Sequence, residues 1–401
     1  MSNTLATSSL VAKEALAILR NSTMFAQSVN REWEDEFGSN QSRGYSPGAT
    51  INIKRPPRYQ WRAGRISVPQ PTVETTTPLV LSQGGCDLGF NIFETTLTLQ
   101  QKEKKIEAAV ATIVNEIDRQ GLELARYATF NTINPTGALP TTQLEATKVF
   151  TNLGRRLTEM GAPVKDRSII MGPGLNAESV AGLSGLFNPN DKLSQNFKTG
   201  MMGNALGFDI GMDQNVTTHT NGAATATNIN GAGQTGSAIT VVAIAGGTLT
   251  KGTAITLPGV FAVNPQSRQS TGVLAQFVVT ADALVGATTI NVSPALVTSG
   301  AFQNVTASPT TGSPYVIMGA ASTSYQANIA YHKDAFTLAM VPLVSPGDGL
   351  GAKVGRASED GFNIKVTTFY DGINDNVNTR LDVLFGYAAT YPELAARYFT
   401  V

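Results

Sequence analysis

The feature that most constrains the fold is a long amphipathic stretch at residues 97–130. Its apolar residues recur at three- and four-residue steps, at Ile106, Val110, Ile113, Ile117, Leu124 and Ala128. This period predicts a helix whose solvent-facing side carries Lys102, Glu103, Lys104, Glu107, Glu116, Asp118 and Glu123. Thr98 is the expected N-cap, and Asn134-Pro135 is expected to end the helix. Such a helix is roughly 45–50 Å long, far above the average. We therefore expect it to support the rest of the chain, and the alternative is a long helix in an ordinary α/β domain.

The segments before this helix predict an arm and an extended hairpin. Residues 9–30 carry Leu10, Leu16, Leu19 and Phe25 at helical spacing, and four acidic residues follow within residues 32–36. Alternating apolar residues at 51–53 and again at 88–99 predict two strands joined by a long connection rich in Pro, Arg and Thr. The prolines block further strand pairing and are expected to hold the hairpin tip away from the core of its own chain.

A basic cluster in this hairpin is the candidate interaction site. It comprises Lys54, Arg55, Arg58, Arg62 and Arg65, interleaved with Tyr59 and Trp61. Interleaved basic and aromatic residues are also typical of surfaces that bind nucleic acid, which is one alternative. A second alternative is that the cluster is simply exposed to solvent and binds nothing. We favour a contact between copies of the chain, because a matching acidic cluster is present in every copy. Its members are Glu32, Glu34, Asp35 and Glu36.

After the long helix the pattern first alternates between helix and strand and then becomes purely β. Helices are predicted at 141–161 and 173–186, and strands at 167–171 and 207–211. In the first helix Leu144, Val149, Leu153 and Leu157 are predicted to face inward, with Gly161 as the stop signal. Residues 217–327 contain only three charged residues, and their short apolar runs lie between Gly, Pro and Asn turns. These runs, at 239–242, 255–257, 277–279, 289–292 and 315–318, predict a small β-barrel or sandwich.

The α/β pattern returns at Ile329, so the β module is predicted to be an insertion. Residues 331–340 indicate a strand and the start of a helix. Strands at 362–369 and 379–389 enclose a turn at 371–378, and this pair is a candidate cover for the long helix.

The composition gives no indication of a nucleic-acid-binding, disulfide-linked or membrane-spanning protein. The formal net charge is zero, so nothing global calls for nucleic acid or an anionic membrane. The charged fraction of 14% is low, and such a surface tends to associate. Cys86 is the single cysteine and cannot form an internal disulfide. No secretory signal or membrane-spanning run is evident, so we expect assembly in a reducing cytoplasm.

No catalytic, cofactor or metal site is predicted. His219 and His332 are the only histidines, and the G-x-G-x-x-G match at residues 231–236 lacks a following helix. Asp371, Asn374, Asp375 and Asn376 fit a hairpin turn better than a cation site. Cys86 has no neighbouring group in the sequence that would activate it.

The order of arm, hairpin, long helix, α/β lobe and terminal strands resembles the HK97-type major capsid proteins of tailed double-stranded DNA phages. Several phrases carry the resemblance: GNALGFDIGMDQNV, YHKDAFTLAM, FNIKVTTFYDG and RLDVLFGYAATYPELAARY. Within the β module, GTLTKGTAITLPGV and VLAQFVVTAD resemble the inserted I-domain of the short-tailed phage coat family.

The resemblance implies an α+β fold with five parts. These are an N-terminal arm (1–47), an E-loop (48–96), a P-domain (97–135 and 356–401), an A-domain (136–216 and 328–355) and the I-domain (217–327). In this family a charged loop joins subunits across two-fold axes, and the corresponding residues 217–238 carry no charge here.

The implied function is a non-enzymatic shell protein. It would form hexamers and pentamers of an icosahedral virion capsid, with a scaffolding protein, a portal protein and packaged double-stranded DNA as partners. The alternatives are an encapsulin-like nanocompartment shell, a β-rich surface or carbohydrate-binding protein using residues 217–327, and an enzyme.

Overall fold

The computed structural model describes most of the chain, in two compact units. The described residues are 12, 13, 15, 16, 23–33, 50–59, 61, 64–67, 69–72, 74–91, 102–183, 204–344, 352–359, 362–373 and 376–401. Unit 1 comprises Met1–Ile53, Thr76–Gly121 and Thr337–Ala388, and unit 2 comprises Lys54–Thr75, Leu122–Phe336 and Ala389–Val401.

The described secondary structure is α+β and consists mostly of strands. The helices are α1 (Phe25–Ser28), α2 (Lys102–Ala128), α3 (Gln143–Glu159) and α4 (Pro173–Leu183). The strands are β1 (Thr50–Arg55), β2 (Thr75–Val80), β3 (Ser82–Asn91), β4 (Asn131–Ile133), β5 (Arg167–Met171), β6 (Asn204–Ala205), β7 (Phe208–Met212), β8 (Thr218–Thr220), β9 (Gly236–Thr240), β10 (Ala254–Val263), β11 (Ser270–Val279), β12 (Thr289–Leu296), β13 (Val316–Ile317), β14 (Ser324–His332), β15 (Phe336–Met340), β16 (Ala352–Glu359), β17 (Phe362–Asp371), β18 (Asn376–Ala389) and β19 (Ala395–Thr400). Short 3-10 helices occur at Lys333–Ala335 and Pro392–Leu394.

The predicted long helix is confirmed as α2, with 27 residues and a length of about 40 Å. Val110, Ile113 and Ile117 are buried, as their spacing predicts. The helix ends at Ala128, close to the predicted end near Phe130, but Asn134-Pro135 does not terminate it, because strand β4 lies between them. The predicted N-cap at residue 98 lies outside the described residues.

The prediction that Asp118 lies on the solvent-facing side of the helix is wrong. The residue is 1% exposed. Its carboxylate accepts hydrogen bonds from the backbone N–H groups of Met24 at 2.7 Å and Ala26 at 3.0 Å. A buried carboxylate is stable when backbone donors satisfy it, so Asp118 joins α2 to the start of α1.

Unit 1 contains an antiparallel sheet in the order β15-β18-β17-β16, with β3 also paired with β18. The strand pair predicted at 362–389 is therefore confirmed as β17 and β18, although β18 already begins inside the predicted turn. Beside α2, a Cβ added to Gly121 would lie 2.8 Å from Tyr387 of β18, so the helix and this strand are in close contact.

The predicted single hairpin before α2 is wrong in its pairing. Strand β1 pairs with β2, and the predicted return strand is β3, which pairs with β18 instead. Pro78 lies within β2. A proline is tolerated there because, among the described residues, β1 and β2 form a two-stranded sheet and only one edge of β2 is paired.

Unit 2 contains a mixed sheet in the order β4-β19-β14-β5-β7-β6, with β8 paired to the far part of β14. Helices α3 and α4 pack against it, and the apolar cluster between them includes Phe150, Leu153, Ile169 and Leu175. Helix α3 begins with a capping box in which Thr142 and Glu145 bond each other's backbone N–H groups.

Three predictions for unit 2 need correction. Leu144 was expected to face inward and is 63% exposed, because it lies in the first turn beyond the buried stripe that begins at Ala146. The helix start expected near Lys333 is a single 3-10 turn followed by β15. Strand β19 was not predicted, although its Ala395–Thr400 run is entirely buried.

A second sheet of unit 2 has the order β13-β10-β11-β12-β9. All five apolar runs predicted between residues 239 and 318 contribute residues to these strands. Their buried side chains form one cluster, and all of its members except Phe130 and Met160 lie within residues 224–315.

Candidate assembly interface

The basic segment selected from the sequence begins at the end of β1 and continues into the following loop. Arg55 is the last residue of β1, Arg58 is half-buried, and Arg65 is exposed. Arg62 lies outside the described residues. In the acidic cluster Glu32 is exposed, whereas Glu34, Asp35 and Glu36 also lie outside the described residues.

Arg58 has an ion-pair partner within its own chain. Its Nη2 donates to Glu393 Oε1 at 2.9 Å, and its guanidinium lies 5.9 Å from the ring centre of Phe302. Arg55 lies 5.7 Å from the ring centre of Tyr391, which directly precedes the 3-10 turn that contains Glu393. The expectation that prolines hold these cations away from their own chain is therefore wrong for Arg55 and Arg58. Whether the segment contacts a second copy remains a prediction.

The loop beyond Arg58 is also attached to the β module. The carbonyl of Tyr59 accepts a hydrogen bond from Arg268 Nη2 at 2.7 Å. Further along, Trp61 is 91% exposed and Ile66 is 82% exposed. Tryptophan is enriched at protein–protein interfaces, so the exposed ring of Trp61 suits a contact with another protein.

A cleft of about 580 Å³ lies beside the basic segment. Its polar lining includes Arg55, Arg58, Arg156 and Glu393. Its apolar lining includes Phe130, Met160, Val263, Phe277, Pro294, Phe302, Val305 and Tyr391. A cleft of this kind combines apolar surface for packing with a few charged groups for specificity.

Arg156 is the most buried charge of this lining. Its Nε donates to Asn131 Oδ1 at 2.9 Å, and its Nη1 lies 3.4 Å from Glu159 Oε2. Its Nη2 has no hydrogen-bond partner among the residues that the structure describes. Burial lowers the pKa of the Arg156 guanidinium, an effect that the nearby Glu159 carboxylate partly offsets.

Both histidines of the chain are buried. His219 is buried, and burial, reinforced by Arg397 and Arg126, lowers its pKa to about 3. His332 accepts a hydrogen bond from the backbone N–H of Asp334. Gly231 and Gly233 of the 231–236 match lie in a loop, and Gly236 is the first residue of β9. Among the described residues, no three His, Cys, Asp or Glu side chains are grouped as a metal site. None of the described helices is long and apolar enough to cross a membrane.

A protein-family model described as "P22 coat protein - gene protein 5" matches residues 90–400. The chain belongs to the P22 coat protein family. It is thus a major capsid protein of a tailed phage, which assembles in many copies into the shell of the virion. This confirms the resemblance to phage coat proteins and decides against the carbohydrate-binding and nanocompartment alternatives. Members of the P22 coat protein family have a structural role.

No curated protein matches the P22-family chain. Among solved structures, a chain from Mycobacterium phage Che8 has a TM-score of 0.49 and 11% identity, covering 94% of this chain and 90% of that one. The capsid structure of cyanophage P-SCSP1u has a TM-score of 0.44 and 8% identity, with 89% and 84% covered. The virus-like particle from Pyrococcus furiosus has a TM-score of 0.40 and 8% identity, with 98% and 97% covered.

Sequence reasoning missed three residues of this site in the coat protein. Glu393 and Arg268 are far from the basic segment in sequence, and no periodic pattern connects them with Arg58. Arg156 is one of two consecutive arginines in an amphipathic helix, where charge normally indicates the solvent face. Its position one helical turn after Leu153 and next to Leu157, both buried, was the available signal.

Proposed function

We propose that this coat protein forms an icosahedral shell around a double-stranded DNA genome, with the five-part HK97-like organisation described above. The family match over residues 90–400 carries the proposal. The separate sheet and core of residues 224–317 support an I-domain inserted at 217–327. The β16–β18 sheet supports a P-domain that combines the long helix with residues 356–401.

The same proposal includes the partners of the family and a function without catalysis. Hexamers and pentamers would assemble on a scaffolding protein in the host cytoplasm, leave one vertex for a portal protein, and enclose DNA without sequence specificity. Because the net charge is zero, the proposed enclosure of DNA does not depend on a strongly basic inner surface of the shell.

We further propose that the E-loop forms a contact between copies through Arg55, Arg58, Arg62 and Arg65, with Glu32, Glu34, Asp35 and Glu36 on the neighbour. Exposed Trp61 and Ile66 in the same loop support it. Since Arg58 already pairs with Glu393, this contact requires the ion pair to be shared or exchanged. Each exposed pair contributes only about 0–1 kcal/mol, but repetition around a closed shell makes a weak contact effective.

Negative-stain electron microscopy of the purified protein tests the shell itself. Closed shells or ring-shaped capsomers are expected, and a stable monomer that never assembles contradicts the proposal.

Charge reversal tests the E-loop contact. The double variant Arg58→Glu, Arg62→Glu is expected to assemble poorly, whereas the stability of the chain should fall only by the loss of the partly exposed Arg58–Glu393 pair, about 0–1 kcal/mol. Adding Glu34→Lys and Glu36→Lys is expected to restore assembly in part. Glu393→Arg in place of these two changes is the matched control, because it repairs only the pair within the chain. If Glu393→Arg restores assembly of the double variant, the contact between copies is contradicted. It is contradicted equally if the double variant assembles normally but packages DNA poorly.

A further inference from the structure

One arginine of the β module is bonded to the base of the E-loop. Arg268 lies in the connection between β10 and β11. Its Nη2 donates to the carbonyl oxygen of Tyr59 in the E-loop at 2.7 Å and to that of Ala301 in the β module at 3.4 Å. Hydrogen bonds with a charged donor are roughly twice as strong as neutral ones, and the planar guanidinium fixes their direction. A single side chain therefore attaches the E-loop to the β module.

The loop that carries Arg268 has a fixed backbone. The φ angle of Arg268 is 55°, which is uncommon for a residue other than glycine. The N–H of Arg268 donates to the carbonyl oxygen of Asn264 at 2.9 Å. Asn264 Oδ1 in turn accepts from the N–H groups of Gln266 at 2.9 Å and Ser267 at 3.1 Å. Because these bonds maintain the left-handed conformation, the guanidinium leaves the loop in a defined direction.

The residue before Tyr59 provides a second attachment. Arg58 donates from Nη2 to Glu393 Oε1 at 2.9 Å, and its guanidinium lies 5.9 Å from the ring centre of Phe302. Phe302 directly follows Ala301, so both attachments reach the same segment of the β module. Two consecutive residues of the E-loop are thus held, one through its backbone and one through its side chain.

The two limbs of the E-loop are also joined to each other near these attachments. Lys54 Nζ lies 3.1 Å from Glu74 Oε2, and the hydroxyl groups of Tyr59 and Thr72 are hydrogen-bonded at 3.0 Å. Tyr59 takes part both in this link and in the bond from the β module. Trp61, only two residues further along, is 91% exposed. The direction in which Trp61 protrudes therefore depends on how Tyr59 is held.

We propose that Arg268 is a positioning residue for the contact between copies, through which the β module fixes the direction of the E-loop before a second copy of the chain binds. The inference rests on the proposed E-loop contact and deepens it. A loop that is already ordered loses less conformational entropy when it binds a neighbour, so the attachment favours assembly without touching the second copy.

The rotational freedom of Trp61 tests the attachment in the full-length, unassembled chain. Trp33 and Trp61 are the only tryptophans, so Trp33→Phe leaves Trp61 as the single probe for time-resolved fluorescence anisotropy. In this background Arg268→Met removes the donor but keeps a long, unbranched side chain at the same backbone angle. We expect the residual anisotropy of Trp61 to fall by about half or more, and to fall less in Arg268→Lys, which retains one charged donor group.

Two further variants make this measurement specific. Gln266→Met is the matched control, because Gln266 is exposed in the same loop and its bond to Asn264 uses the backbone N–H. It is expected to leave the anisotropy of Trp61 unchanged. Glu393→Gln weakens the second attachment and should lower the anisotropy by a smaller amount. Unchanged anisotropy in Arg268→Met overturns the assignment. If that variant does not fold, unchanged anisotropy in both Arg268→Lys and Glu393→Gln overturns it.

Assembly of the same variants tests whether the attachment serves the contact between copies. Light scattering and electron microscopy should show shells forming several-fold more slowly in Arg268→Met, at an intermediate rate in Arg268→Lys, and normally in Gln266→Met. Normal assembly of Arg268→Met despite a mobile Trp61 overturns the positioning role and leaves the coat function intact. Slow assembly with an unchanged Trp61 also overturns it. A wild-type chain that never forms shells contradicts the proposed function instead.

Discussion

Arg397 of β19 caps the C-terminus of the long helix by donating from Nη1 to the carbonyl oxygen of Arg126 at 2.9 Å. Its Nε donates to Thr132 Oγ1 at 2.8 Å, and its guanidinium lies 4.9 Å from the ring centre of Phe399. The last carbonyls of a helix have no partner within the helix and carry a partial negative charge. Burial, reinforced by the charge of Arg126, lowers the pKa of Arg397 to about 9. Burying this guanidinium is therefore unfavourable, and its hydrogen bond to the helix carbonyl offsets part of that cost.

Replacing Arg397 by lysine is expected to destabilise the protein by about 2 kcal/mol or more. Lysine retains the buried charge but has a single head group that cannot bond both Arg126 and Thr132. Urea unfolding measures the change. Arg119→Lys, on the exposed side of the same helix, is the control and should stay within about 0.5 kcal/mol of the wild type. A variant at position 397 that is as stable as this control contradicts the capping role.

Asp118→Ala is expected to release α1 from the long helix. The substitution leaves the N–H groups of Met24 and Ala26 without their acceptor, at a cost of roughly 1–3 kcal/mol. Limited proteolysis should then cut near residues 23–30 much faster than in the wild type. Glu116→Gln, two residues away and half-exposed, is expected to leave the cleavage rate unchanged. Equal rates in both variants would show that Asp118 does not hold this segment.

Two helical glycines are expected to respond to alanine with opposite signs. A Cβ at Gly121 would lie 2.5 Å from Phe25 Cδ1, whereas one at Gly174 would meet nothing within 4 Å. Gly121→Ala should therefore lower stability by about 1–3 kcal/mol through overpacking. Gly174→Ala should be neutral or stabilising by up to about 1 kcal/mol through helix propensity. Thermal unfolding compares the two, and the same sign for both would refute the close contact at Gly121.

Because His219 is buried without its proton, the protein is expected to lose stability in mild acid. The pKa of His219, about 3 in the folded chain, is below the ordinary value of 6.5, because the ring is buried and faces Arg397 and Arg126. Between these values the unfolded chain binds the additional proton, so this contribution to stability is present above pH 6.5 and is lost as the pH falls. The loss reaches roughly 2 kcal/mol by pH 5.

His219→Gln removes this titration, so urea midpoints at pH 7 and pH 5 should differ less than in the wild type. If His219→Gln shows the full difference, other groups cause the acid sensitivity.

Residues 217–327 are expected to fold when expressed alone. Nearly all of the apolar cluster that supports the second sheet of unit 2 comes from this segment, and only Phe130 and Met160 are contributed from outside. A strand-type circular dichroism spectrum with cooperative thermal unfolding is the expected result. A random-coil spectrum would contradict both the proposed boundaries and the I-domain assignment.

Periodicity predicted the elements whose burial follows their local pattern. The stripe of Val110, Ile113 and Ile117 and the five apolar runs of the β module are of this kind. It failed at Asp118 and Arg156, where distant backbone or amide groups make burial of a charge possible. A single sequence does not record such partners, which lie far away along the chain. For the same reason Arg58 could be selected as a contact residue while its partner Glu393 could not.

The position of β19 also determines when unit 2 is completed during synthesis. Its strand lies between β4 and β14, and Arg397 closes the end of the long helix. A ribosome makes these residues after every other strand of the sheet, so a nascent chain has an open gap in the sheet until residue 395 and those beyond it emerge. Chains interrupted before that point present unpaired strand edges and an uncapped helix, which are features that a chaperone or protease recognises. Only chains that extend through β19 would then enter a growing particle.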